Sequence, residues 1–293
     1  MNRRSLLLSL LFLIAALPAF SQIFYKIEGN GLKSPSYLFG THHLAPASIV
    51  ESYPSIPSAL DDAKAIVGEL DMTLSQMEMA MAMQKYMMAP ADSTISRLTT
   101  PDEFKDLEAK FAPYSPMPGV TLAQLDMMRP MVISAMVTMT EMQKSLPGFN
   151  PNQQLDAMFQ LQGKEEGKKI IPLETPELQA QLLYTFTPIS KQLNDLKEVL
   201  DNPSELAENC QKLNKAYTEG DLDALLSLTE SDDSDPAFME ALLTRRNHNW
   251  IKALPEIISQ QPSFIAVGAL HLAGNDGLVE LLRKEGYTVT PLK

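Results

Sequence analysis

Cysteine is scarce in this chain of 293 residues, which contains one Cys, four His and one Trp. The single thiol, Cys210, cannot form an internal disulfide and cannot supply a metal site built from several thiolates. After about residue 20, no apolar run approaches the roughly 20 residues that a membrane-spanning helix needs. The fold must therefore be stabilised by its hydrophobic core, and Cys210, within a helical pattern, is interpreted as a packing residue.

Signature motifs of several enzyme classes are also missing. The sequence has no Gly-x-Ser-x-Gly nucleophile turn, no phosphate-binding Gly-rich loop and no His-Glu-x-x-His pair. Basic residues are outnumbered, with 24 Lys and Arg against 36 Asp and Glu. A surface of this sign repels the phosphates of nucleic acids and of anionic lipids, so we expect neither as a partner.

The first 21 residues have the composition of a secretory signal peptide. A basic start precedes an apolar run, and Ala19 and Ser21 place small residues at positions −3 and −1 of a cleavage site. An uncleaved membrane anchor is the alternative, and Pro18, within this short run, argues against it. We expect an exported protein, periplasmic or secreted, in which residues 22–293 form a single domain with no stable membrane span.

Strand-like segments lie at both ends of the chain, and helical patterns fill the middle. The β-branched and aromatic runs that predict strands are 23–29, 36–40, 65–70, 168–174, 263–270 and 287–292. Runs 65–70 and 263–270 are continuously apolar, which is typical of strands covered on both faces. The predicted fold class is α/β, with a central, largely parallel sheet built from the N- and C-terminal portions and covered by helices. A large Met-rich helical insertion is predicted at about 72–167.

Methionine is concentrated in that insertion, where 14 of the 17 Met residues lie between Met72 and Met142. Met is unbranched and polarizable, so it fills irregular core space and also lines adaptable binding surfaces. An ordinary helical core is the favoured interpretation. An apolar groove for a peptide or lipid-like ligand, or a soft site for Cu(I), are the alternatives.

Two short runs share one frame, in which a strand leads to Gly and then to His three residues later. They are "SYLFGTHH", with Gly40 and His43, and "SFIAVGALH", with Gly268 and His271. Ligands of α/β proteins bind beyond the carboxyl ends of the strands, where both imidazoles meet if their strands share a sheet. Imidazole binds Zn, Mn, Co or Fe, and it also exchanges protons near neutral pH. The repeated frame therefore predicts a metal site or an acid–base site.

An acidic residue at another strand end extends this candidate site. Glu69 follows an apolar run, where a buried acid needs a partner or a metal. Together with His43 and His271 it makes a three-ligand set that leaves positions open for water and substrate. The same three groups also suit a metal-free site, in which Glu69 orients a His that activates water.

Further polar residues lie near the same predicted edge. Glu174 ends another strand, and Arg246 on a helix is placed to pair with Glu174 or Glu69, or to bind a substrate carboxylate. His42 is interpreted as a supporting residue or a loop residue. His248 is interpreted as a solvated helix residue.

These segments, in this order, resemble the TraB/GumN family over nearly the whole mature chain, roughly 25–292. The matching segments are "SYLFGTHH", "VGEL", "IPLETPELQ", "TRRNHNW" and "FIAVGALHLAGNDGLVELLRKEGYTV". The family is similar to Tiki-type proteases, so the resemblance implies a divalent-metal-dependent peptidase with paired Gly-x-x-His motifs and an essential Glu. The metal or catalytic set that it implies is His43, Glu69 and His271, with Glu174 and Arg246 at recurring positions.

One local departure from the family pattern is His42, which stands where many relatives carry an apolar residue and leaves room for a fourth ligand. The wider fold group also resembles erythromycin esterases and a haem-binding lipoprotein type, so the fold does not fix the chemistry. We expect a divalent-metal-dependent hydrolase (Mn, Co or Zn) that acts on a peptide or small-molecule substrate. The alternatives are a metal-free, esterase-like hydrolase and a non-catalytic protein that binds haem, metal or an apolar ligand.

Overall fold

The structure is a computed structural model that describes residues 22–43, 45–146, 148–150, 153–229 and 235–293. The predicted signal peptide lies outside these ranges. Within them, six strands form one sheet: β1 (Phe24–Gly29), β2 (Ser36–Thr41), β3 (Ala65–Gly68), β4 (Lys169–Pro172), β5 (Ser263–Gly268) and β6 (Tyr287–Pro291). Each of the six predicted strands is confirmed.

The strand order explains how the two ends of the chain meet. The order is β4-β3-β5-β2-β1-β6, and the pairs β4–β3, β3–β5 and β5–β2 are all parallel. β1 runs antiparallel to both of its neighbours, β2 and β6. The largely parallel α/β sheet predicted from the sequence is thus confirmed, and the C-terminal β5 lies between two N-terminal strands.

Helices account for most of the remaining described residues. The described residues include fourteen α-helices, which are α1 (Ile56–Asp62), α2 (Gln76–Met87), α3 (Ile95–Leu98), α4 (Pro101–Phe111), α5 (Pro130–Ser145), α6 (Leu155–Glu165), α7 (Pro176–Thr185), α8 (Ile189–Asp201), α9 (Pro203–Thr218), α10 (Leu222–Thr229), α11 (Pro236–Met239), α12 (Arg245–Trp250), α13 (Leu254–Gln260) and α14 (Leu278–Lys284). Among them, no helix combines the length and the apolar composition needed to cross a membrane.

The main core lies around the central strands, and α6 packs directly on it. The Phe159 ring of α6 lies 5.5 Å from the Phe39 ring of β2 and 4.9 Å from the Phe264 ring of β5, between centroids. Gly163 permits this approach, because a Cβ there would lie 2.4 Å from Ile66 Cγ1. The close packing brings the first turn of α6 to the end of β2, where the candidate site lies.

The methionine-rich helices divide into two kinds. In α5, Met142 is buried, and Met136 and Met139 pack against small helical cores shared with neighbouring helices. In α2, by contrast, no residue is buried, and Met77 and Met81 are 73% and 70% exposed. The core interpretation therefore accounts for Met136, Met139 and Met142 of α5 but not for Met77 and Met81 of α2.

Candidate functional site

Three parallel strands deliver acidic and imidazole side chains to one edge of the sheet. Glu69 directly follows β3, Glu174 lies two residues after β4, and His271 lies in the 3-10 turn Ala269–Leu272 that follows β5. Because these strands are parallel neighbours, their carboxyl ends meet at the edge where α/β proteins bind ligands. The structure therefore brings together three of the residues predicted from the sequence.

Arg246 of α12 joins these residues through its buried guanidinium, which is 8% exposed as a side chain. Its Nη2 donates to Glu69 Oε2 at 2.6 Å, and its Nε donates to Glu174 Oε1 and Oε2 at 2.9 and 3.0 Å. The guanidinium also lies 4.7 Å from the centroid of the Trp250 ring, a cation–π distance. The predicted pairing of Arg246 with Glu69 or Glu174 is confirmed, and Arg246 pairs with both.

The helix that carries Arg246 is wound irregularly just before it. Residues Glu240–Thr244 form a π-helical turn between α11 and α12, a feature frequent at functional sites. Within this turn, the carbonyl oxygen of Leu242 accepts a hydrogen bond from Arg246 Nη1 at 3.1 Å. The backbone thus helps to fix the guanidinium in front of the strand ends.

Both ring nitrogens of His271 are engaged. The side-chain nitrogen of Asn247 donates to the carbonyl oxygens of His271 and Asp276, so Asn247 Oδ1 is the acceptor for His271 Nδ1 at 2.7 Å. The Nε2 lone pair then accepts from Arg246 Nη1 at 2.9 Å. Burial lowers the pKa of His271 to about 4, with Glu69 opposing the shift and Arg246 adding to it. The ring is therefore neutral near pH 7.

Glu69 accepts hydrogen bonds from three different residues. Besides the guanidinium, the Gly268 amide donates to Oε1 at 2.8 Å and Gln179 Nε2 donates to Oε2 at 3.0 Å. Burial alone would raise the pKa of Glu69, but its neighbours His271 and Arg246 and the Gly268 amide lower it to about 2. Since the His271 ring is neutral near pH 7, Arg246 supplies the charge that keeps Glu69 ionised there.

A small cavity of about 50 Å³ lies beside Glu69. The residues that line it are His43, Glu69, Leu70, Met72, Asp156, Gln160 and Gln179. This volume exceeds the space that one water molecule needs, and the lining offers several polar partners for water. The 20% of the Glu69 side chain that stays exposed marks the point where the buried cluster meets solvent.

Asp156, in the first turn of α6, is the second carboxylate of this cavity. Its Oδ1 accepts from Thr41 Oγ1 at 2.7 Å, and its Oδ2 lies 3.9 Å from Nδ1 of His43. Burial raises the pKa of Asp156, with the Glu69 carboxylate acting in the same direction and His43 and Thr41 opposing it. One cavity thus holds an imidazole and two carboxyl groups in different environments.

The two Gly-x-x-His frames are not equivalent in the sheet. The register of β2 and β5 pairs Gly40 with Val267 and Thr41 with Gly268, so the frames are offset by one residue. His271 is buried within the Arg246 network, whereas the His43 side chain is 68% exposed at the cavity. Oε1 of Glu69 lies 3.7 Å from Nε2 of His271, and Glu69 lines the same cavity as His43.

His42 and His248 lie apart from this cavity's lining. The His42 ring lies 5.1 Å from the Tyr217 ring, and burial lowers the pKa of His42 to about 4. His248 is 48% exposed and pairs with Asp276 at 2.8 Å, as expected for a solvated helix residue. Neither residue therefore belongs to the lining of the cavity.

The donors do not fit the predicted metal shell of His42, His43, Glu69 and His271. In the described part of the chain, no three His, Cys, Asp or Glu side chains are grouped so that they could hold a metal ion. Both nitrogens of His271 already have partners, and Arg246 is the cation that pairs with Glu69 and Glu174.

Several residues of the site gave no signal of their own in the sequence. Asp156 stands in an amphipathic helix pattern, where an acid in the first turn is an ordinary N-terminal residue. Gln179 lies inside the quoted segment "IPLETPELQ", and Asn247 and Trp250 lie inside "TRRNHNW". Only those segments, and not the residues themselves, could have indicated the site.

The whole chain was also compared with known proteins. No curated protein matches it, and no solved structure matches it. A family model does match, and its match extends over residues 23–291, from the residue before β1 to the last residue of β6. That range contains Glu69, Glu174, His271 and Arg246 and every residue that lines the cavity. The chain therefore belongs to the TraB/PrgY/gumN family.

Proposed function

We propose that this protein is a hydrolase that activates water in the cavity shared by Glu69, His43 and Asp156. One observation supports the proposal above all: an ionised carboxylate, an imidazole and a second carboxyl group line a single water-sized cavity at the strand-end edge. Hydrolysis needs a group that takes a proton from water and later gives it to the leaving group.

In this proposal His43 is the general base. Histidine is the side chain that exchanges protons near neutral pH, and His43 is exposed enough to meet a substrate that approaches from solvent. Asp156 is a positioning residue that orients the ring, and their 3.9 Å separation shortens to a hydrogen bond when substrate binds. The cavity holds the attacking water, and the scissile bond lies across its mouth.

Glu69 acts as a fixed negative charge in the same scheme. Its low pKa and its three types of donor make it a poor proton acceptor near pH 7. It instead stabilises the positive charge that His43 acquires when it takes a proton from water, a proton that the His43 imidazolium then gives to the leaving group. Arg246, His271 and Glu174 are positioning residues that hold Glu69 in place.

The substrate class that we propose is a peptide, on the resemblance to Tiki-type proteases, with small esters as the alternative. Export, proposed on the signal-peptide pattern of residues 1–21, is consistent with a substrate outside the cytoplasm. No step of this scheme needs a metal, because the donors as arranged do not fit one. Dependence on Mn, Co or Zn is therefore an outcome for the experiment.

The test uses the purified mature chain, with a panel of short peptides and simple esters as substrates. Each is assayed after exhaustive chelation and again with added Mn, Co or Zn. We expect turnover that survives chelation, and losses of about 100-fold or more in His43→Ala and in Glu69→Gln. The matched control is His248→Ala, since His248 is partly exposed and lies outside the cavity lining.

Two results would count against the proposal. Full activity in His43→Ala would remove the general base from the scheme. Activity that vanishes on chelation and returns with one metal would replace the metal-free scheme by the metal-dependent hydrolase predicted from the sequence.

A second function, non-catalytic binding of haem or another apolar ligand, is favoured by the exposed face of α2. Met77 and Met81 are one helical turn apart and strongly exposed, which is typical of adaptable apolar surfaces. This function predicts a ligand that stays bound through purification and is lost in Met77→Ser with Met81→Ser. It also predicts no turnover of any substrate in the panel.

A further inference from the structure

A second, larger cavity lies on the other side of α6 from the site cavity. It is bounded by α1, by α6 and by residues 50–54, which include the end of the 3-10 turn Ala47–Ser52, and its volume is about 600 Å³. We call it the α1–α6 groove. No residue lines both cavities. Its volume lies in the range of roughly 300–1,000 Å³ that is typical of small-molecule sites.

The floor of the groove is apolar and belongs to the main core. Ile56 and Leu60 of α1 and Phe159 of α6 contribute buried side chains, and Tyr53 adds an aromatic wall. At the rim, Leu161 is 49% exposed although it lines an apolar surface. A ligand that covered Leu161 would remove this apolar area from water, which is favourable.

The charged residues that line the groove are both acidic. Glu51 and Glu165 line it from opposite walls, both are exposed, and no Lys, Arg or His lines it. In the described part of the chain neither carboxylate has an ion-pair partner closer than 4.0 Å. The groove therefore presents an apolar floor between two uncompensated negative charges, on a chain whose net charge is already −12.

We propose that the α1–α6 groove binds a cationic amphiphile, an aliphatic or aromatic body that carries an ammonium or guanidinium group. The body covers the floor and Leu161, and the cationic group lies near Glu51 or Glu165. An anionic amphiphile is disfavoured by both carboxylates, and an uncharged one gains only the apolar contact. This proposal goes beyond hydrolysis and does not depend on it, since the groove and the site cavity share no lining residue.

The experiment is a calorimetric titration of the mature chain with three amphiphiles that carry the same decyl chain. These are decyltrimethylammonium, decyl maltoside and decanesulfonate, each kept below its micelle concentration. We expect the cationic compound to bind about tenfold more tightly than the uncharged one, since two exposed charges each contribute modestly. The anionic compound should bind more weakly than either. Equal affinity for all three would overturn the proposal.

Matched variants place the binding at the groove. Glu51→Gln with Glu165→Gln should lower the affinity for the cationic compound to that for the uncharged one, and Leu161→Ser should weaken both. The control is Asp61→Asn with Glu285→Gln, two exposed acids that do not line the groove. A control that weakens binding as much as the groove variant would overturn the proposal. So would self-association of the free chain that Leu161→Ser abolishes, because a second copy would then occupy the groove.

Discussion

Nη1 of Arg246 lies 2.9 Å from Nε2 of His271, so the lone pair of the imidazole is directed at a guanidinium. The same guanidinium binds Glu69 and Glu174, and one buried cation therefore joins the ends of three parallel strands. The arrangement makes the position of Glu69, and with it the shape of the site cavity, depend on Arg246.

The first prediction concerns the loss of this cation. Arg246→Met should destabilise the protein by about 3–5 kcal/mol, because it leaves the carboxylates of Glu69 and Glu174 buried without a countercharge. The measurement is the free energy of unfolding in urea at pH 7. The neighbouring Arg245→Met is the control. Arg245 forms an exposed pair with Glu240, so its loss should cost at most about 1 kcal/mol. Similar costs for the two variants would show that the Arg246 network contributes little to stability.

The second prediction concerns the loss of folding stability at acidic pH. The folded-state pKa of His271 is about 4, below its ordinary 6.5, so the unfolded chain binds more protons between these values. The contribution of His271 to stability is therefore complete above pH 6.5 and falls as the pH drops to 4. Glu69, whose pKa is lowered from 4.5 to about 2, continues the loss below pH 4.5. Asp156, whose pKa is raised, acts in the opposite direction.

The measurement for this prediction is the pH dependence of the unfolding free energy in urea. Between pH 6.5 and 4, a difference of one bound proton between the unfolded and the folded chain gives the unfolding free energy a slope of about 1.4 kcal/mol per pH unit. His271→Gln should reduce the slope of the wild-type curve by up to that amount, whatever its effect on absolute stability. His248→Gln, at an exposed position, should leave the slope unchanged. An unaltered slope in His271→Gln would contradict the prediction, since it would mean that the pKa of His271 is the same in the folded and the unfolded chain.

The third prediction separates the two glycines of the repeated frame. A Cβ at Gly40 would lie 2.9 Å from the backbone Cα of Ala269, which cannot yield, so Gly40→Ala should cost about 1–3 kcal/mol of stability. A Cβ at Gly268 would lie 3.2 Å from Oε1 of Glu69, a side-chain atom that can shift. Gly268→Ala should therefore cost less stability and more activity than Gly40→Ala. Thermal unfolding and turnover of the best substrate distinguish the two variants, and the reverse order would contradict this assignment.

Local patterns were sufficient to predict the strands and the strand-end residues. The runs that became β3 and β5 are continuously apolar, and a sheet covered on both faces is the environment that favours such runs. Glu69 stood out because an acid directly after a buried strand needs a partner. Arg246 is that partner, and the sequence also placed it among the candidate partners of Glu69 and Glu174.

The relation between His43 and His271 could not be predicted from spacing. Whether equal frames are equivalent in space depends on the register of β2 and β5, and an offset of one residue changes the direction of every side chain. Asp156 was missed for a similar reason. It reaches the cavity because α6 packs closely on β3, where Gly163 leaves room for Ile66, and no local pattern shows such a tertiary contact.

The fourth prediction concerns Asp156 as the positioning residue of His43. Asp156→Asn keeps an oxygen that can accept from Thr41 but removes the charge that faces His43. We expect kcat to fall by about 100-fold, the size of a general acid–base contribution, with little change in KM. Stability should stay the same or rise, because a buried carboxylate close to Glu69 is replaced by a neutral amide.

Two further variants show whether the charge of Asp156 or its hydrogen bond is responsible. Thr41→Val removes the hydroxyl donor and keeps the carboxylate, so it should lower kcat less than Asp156→Asn does. Asp102→Asn, an exposed acid of α4, is the control for the loss of one negative charge from the chain. If Thr41→Val lowered kcat as much as Asp156→Asn, the hydrogen bond to Thr41 rather than the charge would position His43. If Asp156→Asn kept full activity, the base would act without a carboxylate partner, and the cavity's second acid would be structural.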